Sequence, residues 1–218
     1  MTNSKRLAPR LLPLLAVSTA ALTLSGCGVN NIPTKEEYAK TKWADVQAQY
    51  QRRADLIPNL VATVKGYATQ EKSVLVEVTQ ARAKATSVSV DASTITDPAK
   101  FTQFQQSQNQ LSGALGRLMV TVEKYPELKS NENFLALQHQ LEGTENRITV
   151  ARKDYNEAVR VYNTELHTFP GVLWASTLYK AEKPMQQFTA TEAAQSAPTV
   201  SFDQAPSAAP GSAPPAKK

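Results

Sequence analysis

Residues 132–166 read ENFLALQHQLEGTENRITVARKDYNEAVRVYNTEL, and the spacing of their apolar positions decides the fold. Phe134, Leu137, Leu141, Glu145, Ile148, Arg152, Tyr155, Val159, Tyr162 and Leu166 step by three and four without a break. Such a stripe is one face of an α-helix. Its mean step of about 3.6 residues lies between the coiled-coil and plain-helix periods. At about 1.5 Å per residue the segment spans about 50 Å. Ser130 or Asn131 supplies an N-cap, and Phe169-Pro170-Gly171 stops the helix.

The rest of the chain is read outward from this rod. Phe101, Phe104, Gln108, Leu111, Leu115, Leu118, Val122 and Tyr125 form a second stripe, opened by Asp97-Pro98 and closed at Pro126. Leu60, Val64, Tyr67, Glu71, Val74, Val78 and Ala81 mark a helix over 59–85. Ala39, Trp43, Val46, Tyr50 and Arg53 mark another over 35–54. Between these two, Asp55-Leu56-Ile57-Pro58 predicts a turn, with one continuous, kinked helix as the alternative. Residues 86–96 are polar and β-branched and are expected to be a mobile loop. Val172 to Lys180 is apolar enough to pack as a short helix or to lie on a surface. Four narrow apolar stripes of helix-forming composition define an all-α, long antiparallel up-and-down bundle of about four helices.

The ends differ from this body. Lys5, Arg6 and Arg10 precede an apolar run from Leu11 to Leu24, which is the build of a secretory signal and too short to span a bilayer comfortably. Leu24-Ser25-Gly26-Cys27 resembles the lipobox of bacterial lipoproteins, so residues 1–26 are expected to be cleaved. Cys27 would then carry an N-palmitoyl group and an S-diacylglycerol. Stable anchoring needs two or more chains. The alternative is ordinary cleavage with Cys27 left as a free thiol. Gly28 after the cysteine favours an outer membrane facing the periplasm, if the cell is Gram-negative. Residues 27–33 are read as a lipidated tether, 34–185 as the bundle, and 186–218 as a largely disordered Ala/Pro/Ser-rich tail.

Charge narrows the functional classes. The chain carries 24 basic and 19 acidic side chains, a net +5. Three of the bases lie before Cys27, and Lys217 and Lys218 close the tail, so the body is neutral overall. No basic face is implied, and nucleic acid is not an expected partner.

Several short motifs carry a family resemblance. Arg52-Arg53-Ala54-Asp55-Leu56-Ile57-Pro58-Asn59-Leu60-Val61 with Val64-Lys65-Gly66-Tyr67-Ala68 is one. Tyr125-Pro126-Glu127-Leu128-Lys129 with Glu132-Asn133-Phe134 is another. The most specific is Leu141-Glu142-Gly143-Thr144-Glu145-Asn146-Arg147-Ile148, followed by Ala151-Arg152, Asp154-Tyr155-Asn156, Tyr162-Asn163 and Phe169-Pro170-Gly171. Together they resemble the LemA family over residues 34–202. The resemblance implies a long antiparallel bundle on the extracytoplasmic side, and no catalytic residues come with it. The chain departs from the family in having a lipobox where many members have a transmembrane helix, and in having Gln70 where histidine often precedes the glutamate.

Reactive constellations are not evident. Cys27 is committed to lipid, and His139 and His167 lack the Glu-x-x-His partners of a di-metal bundle, with Ala136 and Thr164 standing there. Glu142 and Glu145 share a helix face, a common spacing on exposed helices. Gly113 and Gly116 lack a phosphate-loop context and read as sites of close helix contact. Arg53, Glu71, Glu145 and Arg152 fall on apolar stripes, either at their edges and paired across helices or as a buried polar network or ligand site. No catalytic, cofactor or metal residue is expected. The expected role is a non-enzymatic scaffold or adaptor with an envelope-protein partner. A binding protein for a small apolar ligand within the bundle is the alternative, motivated by the seam tyrosines.

The lipobox reading has a direct check. Cys27→Ser should leave an unprocessed precursor that takes up no labelled palmitate. Normal labelling of this variant would refute lipidation.

Overall fold

The computed structural model describes residues 28–88, 91 and 93–189; the signal segment, Cys27 and the tail from residue 190 lie outside the described residues. The helices are α1 (Asn31–Tyr67), α2 (Lys72–Ser87), α3 (Pro98–Val122), α4 (Pro126–Lys129), α5 (Glu132–His167) and α6 (Gly171–Thr177), with a 3₁₀ turn at Thr94–Thr96. No strand occurs among the described residues. The unit that contains them extends to Phe188.

The expected up-and-down bundle is present. The α1 and α5 rods pack against each other over most of their length. They run antiparallel: Asn31 at the start of α1 meets Glu165, and Tyr67 at its end meets Asn131. The shorter α2 and α3 pair with each other, and α2 also returns along α1. The stripe positions account for the core. Phe134, Ile148, Tyr155, Val159 and Tyr162 of α5, and Phe101, Phe104, Leu111, Leu118 and Val122 of α3, are all buried. The caps also stand where the sequence puts them. The Asp97 carboxylate accepts from the Ala99 and Lys100 amides, and Asn131 Oδ1 accepts from the Phe134 amide.

The predicted turn at residues 55–58 is not there. A single helix of 37 residues runs through Pro58, and the chain reverses ten residues later, at Ala68–Glu71. The physical reason lies in the backbone hydrogen bond that Pro58 cannot make. A proline without an N–H orphans the carbonyl four residues earlier, here Ala54. Ala54 is 3% exposed, so water cannot replace the missing donor. Arg82 of α2 does so instead, its Nε donating to the Ala54 oxygen at 2.7 Å. The proline thereby becomes a docking point for α2.

Other differences are local. Pro126 opens the single turn α4, which sets Leu128 into the core. The segment expected to be a mobile loop ends in an ordered turn, in which Asp91 accepts from the Ser93 and Thr94 amides and Ile95 is buried. The tether expected through residue 33 is short, because α1 begins at Asn31 and Ile32 is fully buried. Packing also continues past residue 185, through Phe188.

The Pro58–Arg82 linkage predicts a thermodynamic coupling. Arg82→Met should lower stability by about 1–3 kcal/mol, since a buried acceptor loses its donor. In a Pro58→Ala background, which restores the missing backbone N–H, the same change should cost close to nothing. Equal losses in both backgrounds, measured by chemical denaturation, would show that the Arg82 contact does not compensate the proline.

Candidate functional site

The buried side chains fall into two apolar clusters, and a charged residue marks the level between them. One cluster holds Trp43, Tyr50, Phe101, Phe104, Tyr155 and Phe188; the other holds Ile57, Leu60, Val78, Leu111, Leu118 and Phe134. Arg53 of α1 is 2% exposed. Its Nη1 donates to Ser112 Oγ at 2.9 Å on α3 and to Glu145 Oε2 at 3.0 Å on α5. Its Nη2 donates to Gln108 Oε1 at 2.6 Å, and the guanidinium lies 5.0 Å from the Tyr50 ring centre. The Gln108 amide in turn donates to the Ala85 carbonyl at 3.4 Å, so the layer reaches α2 as well. Of the two sequence readings, Arg53 meets the buried polar network, whereas Glu145 sits at the stripe edge and pairs with it across helices. The Glu145 carboxylate stays half-exposed.

The other charged stripe residues serve as separate ties. Glu71 accepts from the Tyr125 hydroxyl at 3.0 Å, joining the α1–α2 turn to the α3–α4 turn. Arg152 lies 4.4 Å from the Phe188 ring centre. Burial pushes the Tyr50 hydroxyl above its usual pKa, and the nearby Arg152 and Arg53 charges oppose that rise.

A second constellation was not visible in the stripes. After α6 the chain turns and runs extended along α5. Asn163 Nδ2 donates to the Met185 carbonyl at 2.9 Å, and Asn163 Oδ1 accepts from the Met185 amide at 2.9 Å. Asn156 does the same to Phe188, again at 2.9 Å in both directions. Each asparagine amide thus stands in for a strand partner. The spacing works because seven helical residues rise about 10.5 Å and three extended residues about 10 Å. Between the clamps, the Tyr155 hydroxyl donates to the Gln186 carbonyl and the Gln186 amide donates to the Ile95 carbonyl. The strap drives Phe188 among Trp43, Phe101 and Tyr155. The signal for it lay in Asp154-Tyr155-Asn156 and Tyr162-Asn163: two asparagines two helical turns apart, one beside each buried tyrosine.

At the α1 start, Glu165 accepts from Lys35 and from Asn31 Nδ2. Burial alone would raise this carboxyl, but the hydrogen bonds from Lys35 and Asn31 outweigh it and hold it below the usual carboxylate range. Gly171 explains the Phe-Pro-Gly motif, because a Cβ there would lie 2.1 Å from the Glu165 carbonyl oxygen. The close approach expected at Gly113 and Gly116 is absent; both face open space apart from the Arg117 side chain near Gly113.

The chemistry available is limited. His139 and His167 are exposed. The Glu142 carboxylate accepts from Gln138, on the surface. No cluster of His, Cys, Asp and Glu suited to a metal ion occurs among the described residues. Nor, among them, is any helix long and apolar enough to cross a membrane. Tyr155 and Tyr162 fill the core, whereas Tyr67 is 46% exposed. A strongly apolar depression is an open groove of about 530 Å³ between α1 and α2, lined by Val61, Lys65, Lys72, Leu75 and Val76.

A family model described as the LemA family matches residues 42–202. Among curated proteins, magnetosome protein MamQ 2 of Paramagnetospirillum magneticum is 27% identical over 157 residues, covering 65% of this chain and 58% of the relative. Protein LemA of Metamycoplasma hominis is 26% identical over 124 residues, covering 57% of this chain and 52% of its own length. MamQ of Magnetospirillum gryphiswaldense is 25% identical over 161 residues, covering 65% of this chain and 58% of the relative. The chain therefore spans a little over half the length of the curated relatives it matches.

The strap can be tested by releasing it. Asn156→Ala and Asn163→Ala each remove two half-buried bonds and should cost about 1–2 kcal/mol apiece. Each should also speed hydrogen exchange at the Met185 and Phe188 amides. Unchanged protection in both variants would mean that the asparagines do not hold the strap.

Proposed function

This chain belongs to the LemA family, and from that premise we propose that it is a lipid-anchored cell-envelope protein whose bundle serves as a non-enzymatic scaffold or adaptor for other envelope proteins. The observation that carries the reading is where the motif residues are spent. Arg53, Glu145, Tyr125, Asn156, Asn163 and Gly171 each tie one segment of the bundle to another. Arg53 and Glu145 line an open depression of about 330 Å³ with Ser112 and Glu142, not the enclosed cleft in which a substrate is held for catalysis. What faces outward is long helix surface, including the open apolar groove between α1 and α2 with Lys65 and Lys72 beside it. Such a groove suits the apolar face of a partner helix with acidic flanks. The lipobox at Leu24–Cys27 supports attachment by acyl chains at the head of the chain.

A carrier of small apolar ligands is less well supported. Such a site is concave and buries most of its ligand. Here the seam tyrosines that motivated it are packed into the core or lie on the surface, and the groove is open.

Photocrosslinking in living cells tests the scaffold reading. A photoreactive residue at Val76, in the groove, should give a discrete adduct with another envelope protein. The same probe at Val150, exposed on α5, serves as the comparison. Adducts from neither position, in protein that is lipidated and folded, would leave the scaffold role without support.

A further inference from the structure

One end of the bundle carries an apolar face that nothing among the described residues covers. Phe169 is 79% exposed, Leu173 50% and Val172 41%. Phe169 sits on the turn leading into α6, and Val172 and Leu173 sit on its first turn. Leu178, 64% exposed, follows at the helix end. The other large exposed apolar residues, such as Tyr38, Val76, Val120 and Val150, stand singly along the chain. The opposite side of the same segment is already used, since Trp174, Ala175 and Tyr179 pack on the aromatic cluster. An apolar face left open on a helix whose other side is packed on the core marks a contact surface.

The start of the described chain lies against the same segment, at Pro170 and Trp174. A Cβ at Gly28 would stand 3.2 Å from Pro170 Cγ and 3.9 Å from Trp174 Nε1. Only three residues separate Cys27 from α1, and Ile32 is already in the core. The Cα of Cys27 is one peptide from that of Gly28, about 3.8 Å away. Acyl chains on Cys27 would therefore enter the bilayer close to this segment, with only a short link between them and the bundle. From Thr168 to Ala181 the chain has no acidic residue and one base, Lys180, so nothing there repels anionic headgroups.

We infer that Phe169, Val172 and Leu173 form a second, non-covalent membrane contact, an apolar cap that enters the interfacial layer next to the lipidated cysteine. The inference rests on the lipid-anchor reading of Cys27. A cap of this kind fixes how the bundle stands on the membrane, which acyl chains on a flexible link would not.

The test uses the full processed protein in vesicles of phosphatidylethanolamine and phosphatidylglycerol. Cys27 is the sole cysteine in the chain and is blocked as a thioether, so Leu173→Cys offers one thiol for an environment-sensitive fluorophore. Val172→Cys serves as the second cap variant, and Val120→Cys, exposed near the far end of α3, as the control. With the cap about 5–10 Å into the headgroup boundary, nitroxide lipids should lower emission from positions 173 and 172 at least about twofold and leave position 120 unchanged. Protein that floats with the vesicles yet shows no quenching at either cap position overturns the cap and leaves the anchor standing. Cap positions equally open to aqueous iodide and to a protein crosslinker would give the face to a partner protein instead. If the unsubstituted protein itself takes up the fluorophore at Cys27 and fails to float, the anchor reading falls, and the cap falls with it.

Discussion

The bundle turns on the guanidinium of Arg53. Arginine has five N–H donors and no acceptor, and it stays charged in protein interiors, so a buried one must be met by oxygens from whatever packs around it. Here those oxygens come from Gln108 and Ser112 on α3 and Glu145 on α5, while Gln108 reaches on to the Ala85 carbonyl of α2. Apolar stripes alone allow helices to slide by a turn at little cost. A fixed fork of donors does not, because a slip of one turn, about 5.4 Å, would strip the charge of its partners in a dry interior. The half-exposure of Glu145 moderates the desolvation cost of the pair.

Much of this was legible in advance, and what escaped has physical causes. The stripes on α3 and α5 identified the buried residues because period and burial are the same signal. The caps at Asp97 and Asn131 were legible because they are local. The break near Pro58 was misplaced because proline's effect on a helix depends on whether a distant group restores the lost hydrogen bond. Arg82, 28 residues away in sequence from the orphaned carbonyl, supplies it. The true reversal at Ala68–Glu71 contains neither glycine nor proline, so nothing local marks it strongly. The strap escaped because its bonding is side chain to backbone and its segment has no helical or strand period. At the charged stripe positions the sequence allows both outcomes, and both occur: Arg53 is buried in a polar network, while Glu145 stands at the edge and pairs across to it.

These features bear on function in one direction. The motif residues of the family are internal ties, so they specify a rigid rod with particular ends more than a reactive centre. Among the described residues, the open groove between α1 and α2 and the apolar residues of α6 both present apolar surface outward.

The antiparallel pairing of the first and last long helices also governs the order in which the protein can be completed. α1 packs chiefly against α5, and their ends meet across 130 and 134 residues of sequence, at Lys35 and Asn31 with Glu165. A chain made from its N-terminus has all of α1 in hand while the helix that covers it is still unmade. During that interval the Trp43, Val46 and Tyr50 side of α1 has no α5 to pack on, and long-range contacts of this kind form slowly. Newly made chains therefore pass through a half-assembled stage with this apolar face open, whose length is set by the rate of elongation. Contact between nascent copies during that stage is the route by which such a chain aggregates.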